Sequence, residues 1–344
     1  MISGMARNRK QRRAEDANLA KSGPTGEPGG ELSGLEIRWN GASPRQWDGL
    51  IARIERSNIE QTWAYGEALA GMSPYYPIHA IIWRGRTPVA MAQVFEWPVR
   101  NLLRIAKVIR GPLFLEEVEP EERAAVMTLI KRRYTLAKRS LLFWTPELRD
   151  NPLSQAVMRT AGLRRTVTGY SSIWLDLTGS EDTLRAGLHQ KWRNQLRTAE
   201  KSSLKIAATH GGAALEWLLP RHDAHRRKNR FKAPVGDFVR AIAICNRDRL
   251  ATTVLTASQG SEPVAAILIF RHGRAATYYI AWSGKKARAV HANNLLLWQA
   301  VLGLKAEGVE WLDLGGIDGL TMPGVARFKL GLGGEMYTLA GTFL

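Results

Sequence analysis

Apolar residues recur along this chain in two rhythms, a period of two that marks strands and a period of three to four that marks helices. Residues 59–70 (IEQTWAYGEALA) read as a short amphipathic helix. Residues 79–83 (HAIIW) and 89–97 (VAMAQVFEW) read as strands joined through a turn containing Gly85. A short strand at 105–109 ends at Arg110-Gly111-Pro112. Glu119-Pro120-Glu121-Glu122 then opens a helix to about Lys138, with acids in its first turn and bases in its last, and 141–145 is a strand. A similar succession follows: a strand at 171–177, a basic helix at 180–203, helices at 215–228 and 235–248, strands at 252–257, 264–271 and 276–282, a helix at 293–307 and a strand at 311–314. A short β segment ends the chain. The repeated order predicts an α/β protein of two related units, 35–170 and 171–344, with the segment after about Gly319 packing back toward the first.

Composition narrows the classes. The 344 residues are 45% hydrophobic and 23% charged, which suits a globular protein of two domains and excludes a mainly disordered one. Cys245 is the only cysteine, so no internal disulfide or thiolate metal cluster can form. Residues 1–34 lack apolar periodicity and are rich in Gly, Pro and Ser toward their end, so they read as a disordered tail. Arg7, Arg9, Lys10, Arg12 and Arg13 open that tail, either as a contact for RNA or lipid or as a solvated charge cluster. The formal charge is +18, and the tail's six basic and four acidic side chains supply only +2 of it. The body's excess points to nucleic acid, an anionic membrane surface or a phosphorylated substrate. No apolar run reaches the ~18–20 residues of a membrane span, and no apolar stretch follows the basic start, so a soluble, cytoplasmic protein is expected.

Four stretches resemble the FemAB-like transferases. They are Gln61–Glu67 (QTWAYGE) with Arg110-Gly111-Pro112; Lys191–Ala199 (KWRNQLRTA); His291–Trp298 (HANNLLLW) with Gly308–Ile317 (GVEWLDLGGI); and Phe328–Gly334 (FKLGLGG). The resemblance implies two tandem GNAT-like (acyltransferase-fold) domains and an enzyme that forms an amide. In that family an aminoacyl group passes from aminoacyl-tRNA to an amine of a peptidoglycan precursor, whereas GNAT relatives take an acyl group from coenzyme A. The pyrophosphate-holding Arg/Gln-x-x-Gly-x-Gly/Ala loop of the latter is missing; residues 159–164 (RTAGLR) begin it but place Arg164 at the second small position. That favours a donor other than coenzyme A, although no long helical arm for tRNA interrupts the second domain. The resemblance implies no cofactor beyond the donor.

Candidate residues follow from both lines of reading. Lys329 matches the lysine that the resemblance places at the active centre, and an ammonium there would stabilise the oxyanion of amide formation. Asp313 precedes Gly315-Gly316 at a strand end, where it either orients an amine or anchors the loop. Arg193 and Arg197, four apart on the basic helix beside Lys191, would present two guanidinium forks to one phosphate or lie on a solvated face. Arg110 sits in a turn that either faces a ligand, since Gly111 permits close approach, or simply ends the strand. Trp63 and Trp298 lie in the matching motifs and either line a pocket or anchor the core, and with Asn293 they complete the substrate-binding set. A basic strip at 226–232 follows His222 and His225, which lack further ligands for a metal. With no GxSxG present, direct attack by the amine of an anionic acceptor is expected. Three alternatives stay open: tRNA or coenzyme A as donor, peripheral association with an anionic membrane, and a non-catalytic RNA-binding protein.

Overall fold

The computed structural model describes residues 25–100, 102–317, 319 and 322–344. The chain is mixed α/β and forms two compact units: one ends at Gly169 and takes back Thr338–Leu344, the other is Tyr170–Tyr337.

The first unit begins with β1 (Glu27–Leu32) and β2 (Leu35–Trp39), then α1 (Pro44–Ile51), a 3-10 turn (Ile59–Gln61) and α2 (Trp63–Met72). Next come β3 (Tyr76–Arg84), β4 (Thr87–Val99), β5 (Leu103–Ile109), β6 (Leu113–Phe114), α3 (Pro120–Lys131), a second 3-10 turn (Leu136–Lys138), β7 (Ser140–Thr145), α4 (Pro152–Thr160) and β8 (Arg165–Val167). The sheet runs β1-β2-β3-β4-β5-β7, and the chain's final strand, Thr342–Phe343, enters between β7 and β8. All strand pairs are antiparallel except β5 with β7, which pair in parallel from Arg104↔Ser140 to Ile109↔Thr145. Helix α3 starts where the sequence places it, with Pro120 in its first turn and Glu121 and Glu122 facing its positive end. It stops at Lys131 rather than Lys138, and a 3-10 turn completes the connection.

Residues 25–34 correct the tail expectation, whose remaining residues, 1–24, lie outside the described part. Six of them form β1, paired with β2 in a hairpin. Glycine serves close approach here: a Cβ on Gly29 would stand 2.2 Å from the Trp39 indole nitrogen, and Gly30 has φ +116°. A composition that looks like linker is an edge strand laid over a tryptophan.

The second unit comprises β9 (Ser171–Asp176), α5 (Glu181–Gly187), α6 (Gln190–Glu200), β10 (Leu204–Thr209), α7 (Gly212–Asn229), α8 (Gly236–Cys245), β11 (Thr252–Gln259), β12 (Glu262–His272), β13 (Ala275–Ser283), α9 (Lys285–Ala289), α10 (Ala292–Ala306), β14 (Trp311–Asp313), α11 (Pro323–Leu330) and β15 (Glu335–Thr338). Its sheet runs β10-β11-β12-β13-β14-β9-β15. The single basic helix expected at 180–203 is broken in two, because Leu188 is extended (φ −64°, ψ 137°). Arg193 donates to the carbonyls of Ala186 and Leu188 (2.9 Å each) and so satisfies the end of α5 that the break leaves open. Ile173, Ile267, Ile269, Leu296, Val301 and Leu312 are buried in a core between this sheet and its helices.

Candidate functional site

Each sheet contains a parallel pair, β5 with β7 in the first and β13 with β14 in the second, and these two pairs end differently. In the first unit β5 and β7 stay paired for their common length, and the Arg110 N–H continues the ladder onto Thr145 O at 2.8 Å. In the second, β13 and β14 pair only from Ala275↔Trp311 to Thr277↔Asp313. Tyr278–Ser283 then run on without β14 beside them. A bulge assists the parting: Leu268 faces Ile280 while Ile269 faces Tyr278, so β13 carries one extra residue at that level. Such a bulge bends its strand and increases its twist. β14 thus ends at Asp313 while β13 runs on to Ser283, and the chemistry-bearing residues gather at this fork.

Asp313 is fully buried at the end of β14. Its Oδ1 accepts from the Ser172 hydroxyl at 2.6 Å and from the Gly315 N–H at 2.8 Å, which draws the chain into a tight turn. Gly315 has φ +73°, and a Cβ there would lie 3.3 Å from Tyr278 O and 3.5 Å from Lys329 Nζ. Only glycine fits that conformation without strain. The turn aims Gly316 O at Lys329, whose Nζ donates to it at 2.9 Å. Lys329 lies in the last turn of α11, just before the glycine-rich run, and is only 8% exposed. Its Nζ also stands 5.8 Å from the centre of the Tyr278 ring. Burial lowers the Lys329 ammonium to about 8, partly opposed by the Asp313 carboxylate. The amine is therefore cationic at neutral pH and loses its charge just above it. Tyr278, buried beside it, is pushed up by burial and stays a neutral phenol.

The neighbouring helices supply a groove. Gln190, Lys191, Asn194, Gln195 and Thr198 on α6, with His291 at the head of α10, line an open space of about 370 Å³. Lys191 is exposed on its rim. Asn293, in the first turn of α10, donates to Ser283 Oγ at 3.3 Å, while its Oδ1 is buried with no hydrogen-bond partner among the described residues. An unsatisfied buried acceptor beside the end of β13 is a ready handle for a ligand donor. Arg197 is exposed, but Arg193 is committed to the carbonyls ending α5, so the two do not form a double fork. Trp298 is 2% exposed and packs in the core with the Arg185 guanidinium 5.2 Å over its ring, an anchor and not a pocket wall. His222 Nε2 meets Pro234 O at 3.0 Å, and both it and His225 edge onto Phe231.

Arg110 and Trp63 belong to the first unit. The Arg110 guanidinium is 3% exposed and grips Glu147 through two hydrogen bonds of 2.6 and 3.1 Å. The space beside Gly111, expected to face a ligand, holds the Gln61 amide, 2.7 Å from where a Cβ would sit. Gln61 exchanges hydrogen bonds with the Gln93 backbone, and the Gln93 amide reaches His79 Nε2 at 2.9 Å. Trp63 stacks flat on His79, with ring centres 3.9 Å apart. Burial pushes His79 down to about 4, so the ring is neutral. These residues form a satisfied polar network that stiffens the end of the zipped pair. Sequence reasoning missed Ser172, Tyr278, Glu147 and His79. Their partners lie far away in the chain, 141 residues in the case of Ser172 and Asp313, and no local spacing signals them.

Comparison with known proteins agrees with this architecture. Residues 186–330 match the acetyltransferase (GNAT) domain family. The fold is similar to that of FemX at a TM-score of 0.76 and 11% identity, over 89% of this chain and 96% of that one. It is also similar to a conserved protein of unknown function from Bacteroides thetaiotaomicron (TM-score 0.58, 12% identity, 89% and 98% covered). A third likeness is to the C-terminal domain of a putative lysylphosphatidylglycerol synthetase from Agrobacterium fabrum (TM-score 0.52, 13% identity, 88% and 91% covered). No curated protein matches the sequence. Among the described residues no helix is long and apolar enough to cross a membrane.

Proposed function

We propose that this chain, whose residues 186–330 match the acetyltransferase (GNAT) domain family and whose fold is similar to that of FemX, is an acyltransferase that passes an aminoacyl group from aminoacyl-tRNA to an amine of an anionic acceptor such as a peptidoglycan precursor. The observation that carries this reading is the buried ammonium of Lys329 at the fork of β13 and β14, held on Gly316 O by a turn that Asp313 organises. In this reaction the acceptor nitrogen attacks the ester carbonyl carbon, and the carbonyl oxygen becomes an oxyanion. As the intermediate collapses the C–N bond remains, the ester C–O bond breaks, and the leaving hydroxyl takes up the proton the amine loses. Lys329 supplies the positive charge where the oxyanion forms, in a site dry enough for that charge to act strongly. Asp313 touches no reactant; it positions the turn and holds the lysine cationic.

The choice of donor is supported by the chain that follows β13. It enters the short helix Lys285–Ala289 in place of a glycine-rich pyrophosphate loop. Lys191 and Asn293 are the side chains offered to the acceptor or donor from the groove and from the head of α10. Arg110 serves the reading only indirectly, by stiffening the first unit.

The test is to incubate the full chain with charged tRNA or acyl-coenzyme A and candidate amines, and to read acceptor masses. An aminoacyl mass added to an acceptor, dependent on charged tRNA, is expected. Transfer from coenzyme A alone would replace the donor assignment. Tight RNA binding without product from any donor would make the protein an RNA-binding one.

Asp313→Asn gives a second expected result. The amide keeps an acceptor for Ser172 and Gly315 but removes the charge that raises Lys329, so Lys329 should lose its proton at a lower pH than in the parent. The alkaline limb of the pH–rate profile should move to lower pH, with turnover near neutrality reduced. An unmoved limb would show that the carboxylate does not act on the lysine.

A further inference from the structure

One end of the first unit's sheet presents apolar tips ringed by cations, remote in sequence from the fork. Strands β4 and β5 form a hairpin, registered Trp97↔Ile105, Pro98↔Arg104 and Val99↔Leu103, whose turn closes with the Leu102 N–H on Val99 O at 3.0 Å. Leu102, at the tip, is 66% exposed. The 3-10 turn that leads into β7 carries Leu136, 76% exposed, the most exposed large apolar side chain among the described residues. The two turns emerge side by side: Arg104 pairs with Ser140 across the parallel strands, and the Arg104 N–H donates to Arg139 O at 2.8 Å.

Arg100, Arg104, Lys138 and Arg139 flank these leucines along the two turns, while at the end of α3 Arg132 donates to Glu31 O at 3.1 Å and Arg133 lies 4.7 Å over the Trp39 ring. Lys138 Nζ donates to Arg132 O at 2.7 Å, which ties the end of α3 into the same patch. The buried Glu96 carboxylate pairs with the Arg104 guanidinium, Nε at 3.2 Å, and accepts from Arg133 Nε at 3.1 Å, Tyr134 OH at 2.7 Å and Tyr76 OH at 2.9 Å. It thereby fixes two of the guanidiniums on a rigid base. Arg100, Arg132, Lys138 and Arg139 are exposed. On the opposite face of the hairpin Trp97 packs edge-on to Tyr75, and Lys107 lies 4.4 Å over the Tyr75 ring.

We infer that this end of the sheet docks on an anionic phospholipid bilayer, with Leu102 and Leu136 entering the interface and the surrounding arginines and lysine meeting lipid phosphates. The two kinds of residue do different work. Cations near an anionic leaflet are drawn to it over about a Debye length, and each contributes modestly. Exposed leucines gain nothing from water or from a polyanion in solution, but they gain from the acyl boundary. RNA would use the same charges, yet its recognition relies on stacking faces and hydrogen-bonding edges that two leucines cannot offer. Apolar tips inside a cationic ring are complementary to a surface that is anionic outside and apolar beneath.

The test is co-sedimentation of the full chain with vesicles of phosphatidylcholine alone and of phosphatidylcholine with phosphatidylglycerol. Leu102→Ser with Leu136→Ser is compared with Leu250→Ser, which alters an exposed leucine of the second unit (49% exposed). The basic tail stays in every variant, so its contribution cancels. The parent and Leu250→Ser should bind the anionic vesicles and not the neutral ones. The double variant should bind them about 100-fold more weakly, roughly tenfold for each large aliphatic side chain withdrawn from the interface. Binding of a homopolymeric RNA by the same three proteins should be equal. A parent that ignores anionic vesicles would overturn the inference. So would a double variant that binds them like the parent, because attraction would then follow charge alone.

Discussion

Lys329→Ala is expected to lower the turnover number about 10²–10³-fold while leaving the Michaelis constant nearly unchanged, the range observed when one oxyanion donor is removed. The Michaelis constant stays because the ammonium meets a charge that exists only in the transition state. Its ground-state partner, Gly316 O, belongs to the protein. Lys329→Arg should recover little: a guanidinium keeps the charge but needs a larger, planar space than an 8% exposed ammonium leaves. Steady-state kinetics on the product-forming reaction decides this. Full turnover by a folded Lys329→Ala protein would remove the lysine from the chemistry.

Glu147→Ala should destabilise the first unit by about 3 kcal/mol, because it leaves the buried Arg110 guanidinium without its main counter-charge. Glu60, at 3.7 Å, answers it only in part. The Asn58 amide, which donates to Arg110 O at 2.7 Å and Glu147 Oε2 at 3.3 Å, loses one acceptor as well. Replacing both partners by apolar residues, Arg110→Met with Glu147→Leu, should recover much of the loss, since neither charge is then stranded. Urea unfolding midpoints of the three proteins check both statements. A double variant as unstable as Glu147→Ala would show that packing, not charge, holds this end of the sheet.

Much of the architecture is legible from local pattern. Strand β12 reads as an apolar run bounded by turns, and α3 announces itself through Pro120 and the two glutamates behind it. Helix α4 is marked too, by Asn151 capping Ser154 with Pro152 behind it, but nine residues expose too few apolar positions for a clear period. The break between α5 and α6 is not legible, because a tertiary contact, Arg193 on the carbonyls of Ala186 and Leu188, supplies what the helix loses. The same holds for the site. Lys329, Asp313 and Gly315-Gly316 can be picked out by resemblance and by the strand-end rule. That they meet depends on where β13 leaves β14, which a bulge against β12 and a serine 141 residues upstream decide. Arg110 looks the same in sequence whether it faces a phosphate or Glu147, and only the fold distinguishes the two.

The most direct test is the pH dependence of amide formation by the parent and by Lys329→Gln, measured with one donor and one acceptor. The ratio of the two rates cancels the acceptor amine's own titration. Because burial holds Lys329 at about 8, the lysine is cationic below that pH and neutral above it. The ratio should be large and flat in the neutral range and fall about tenfold per pH unit once the pH passes 8. A ratio that instead rises through pH 8 would make neutral Lys329 a base, and would contradict the account of it as the cation that receives the oxyanion.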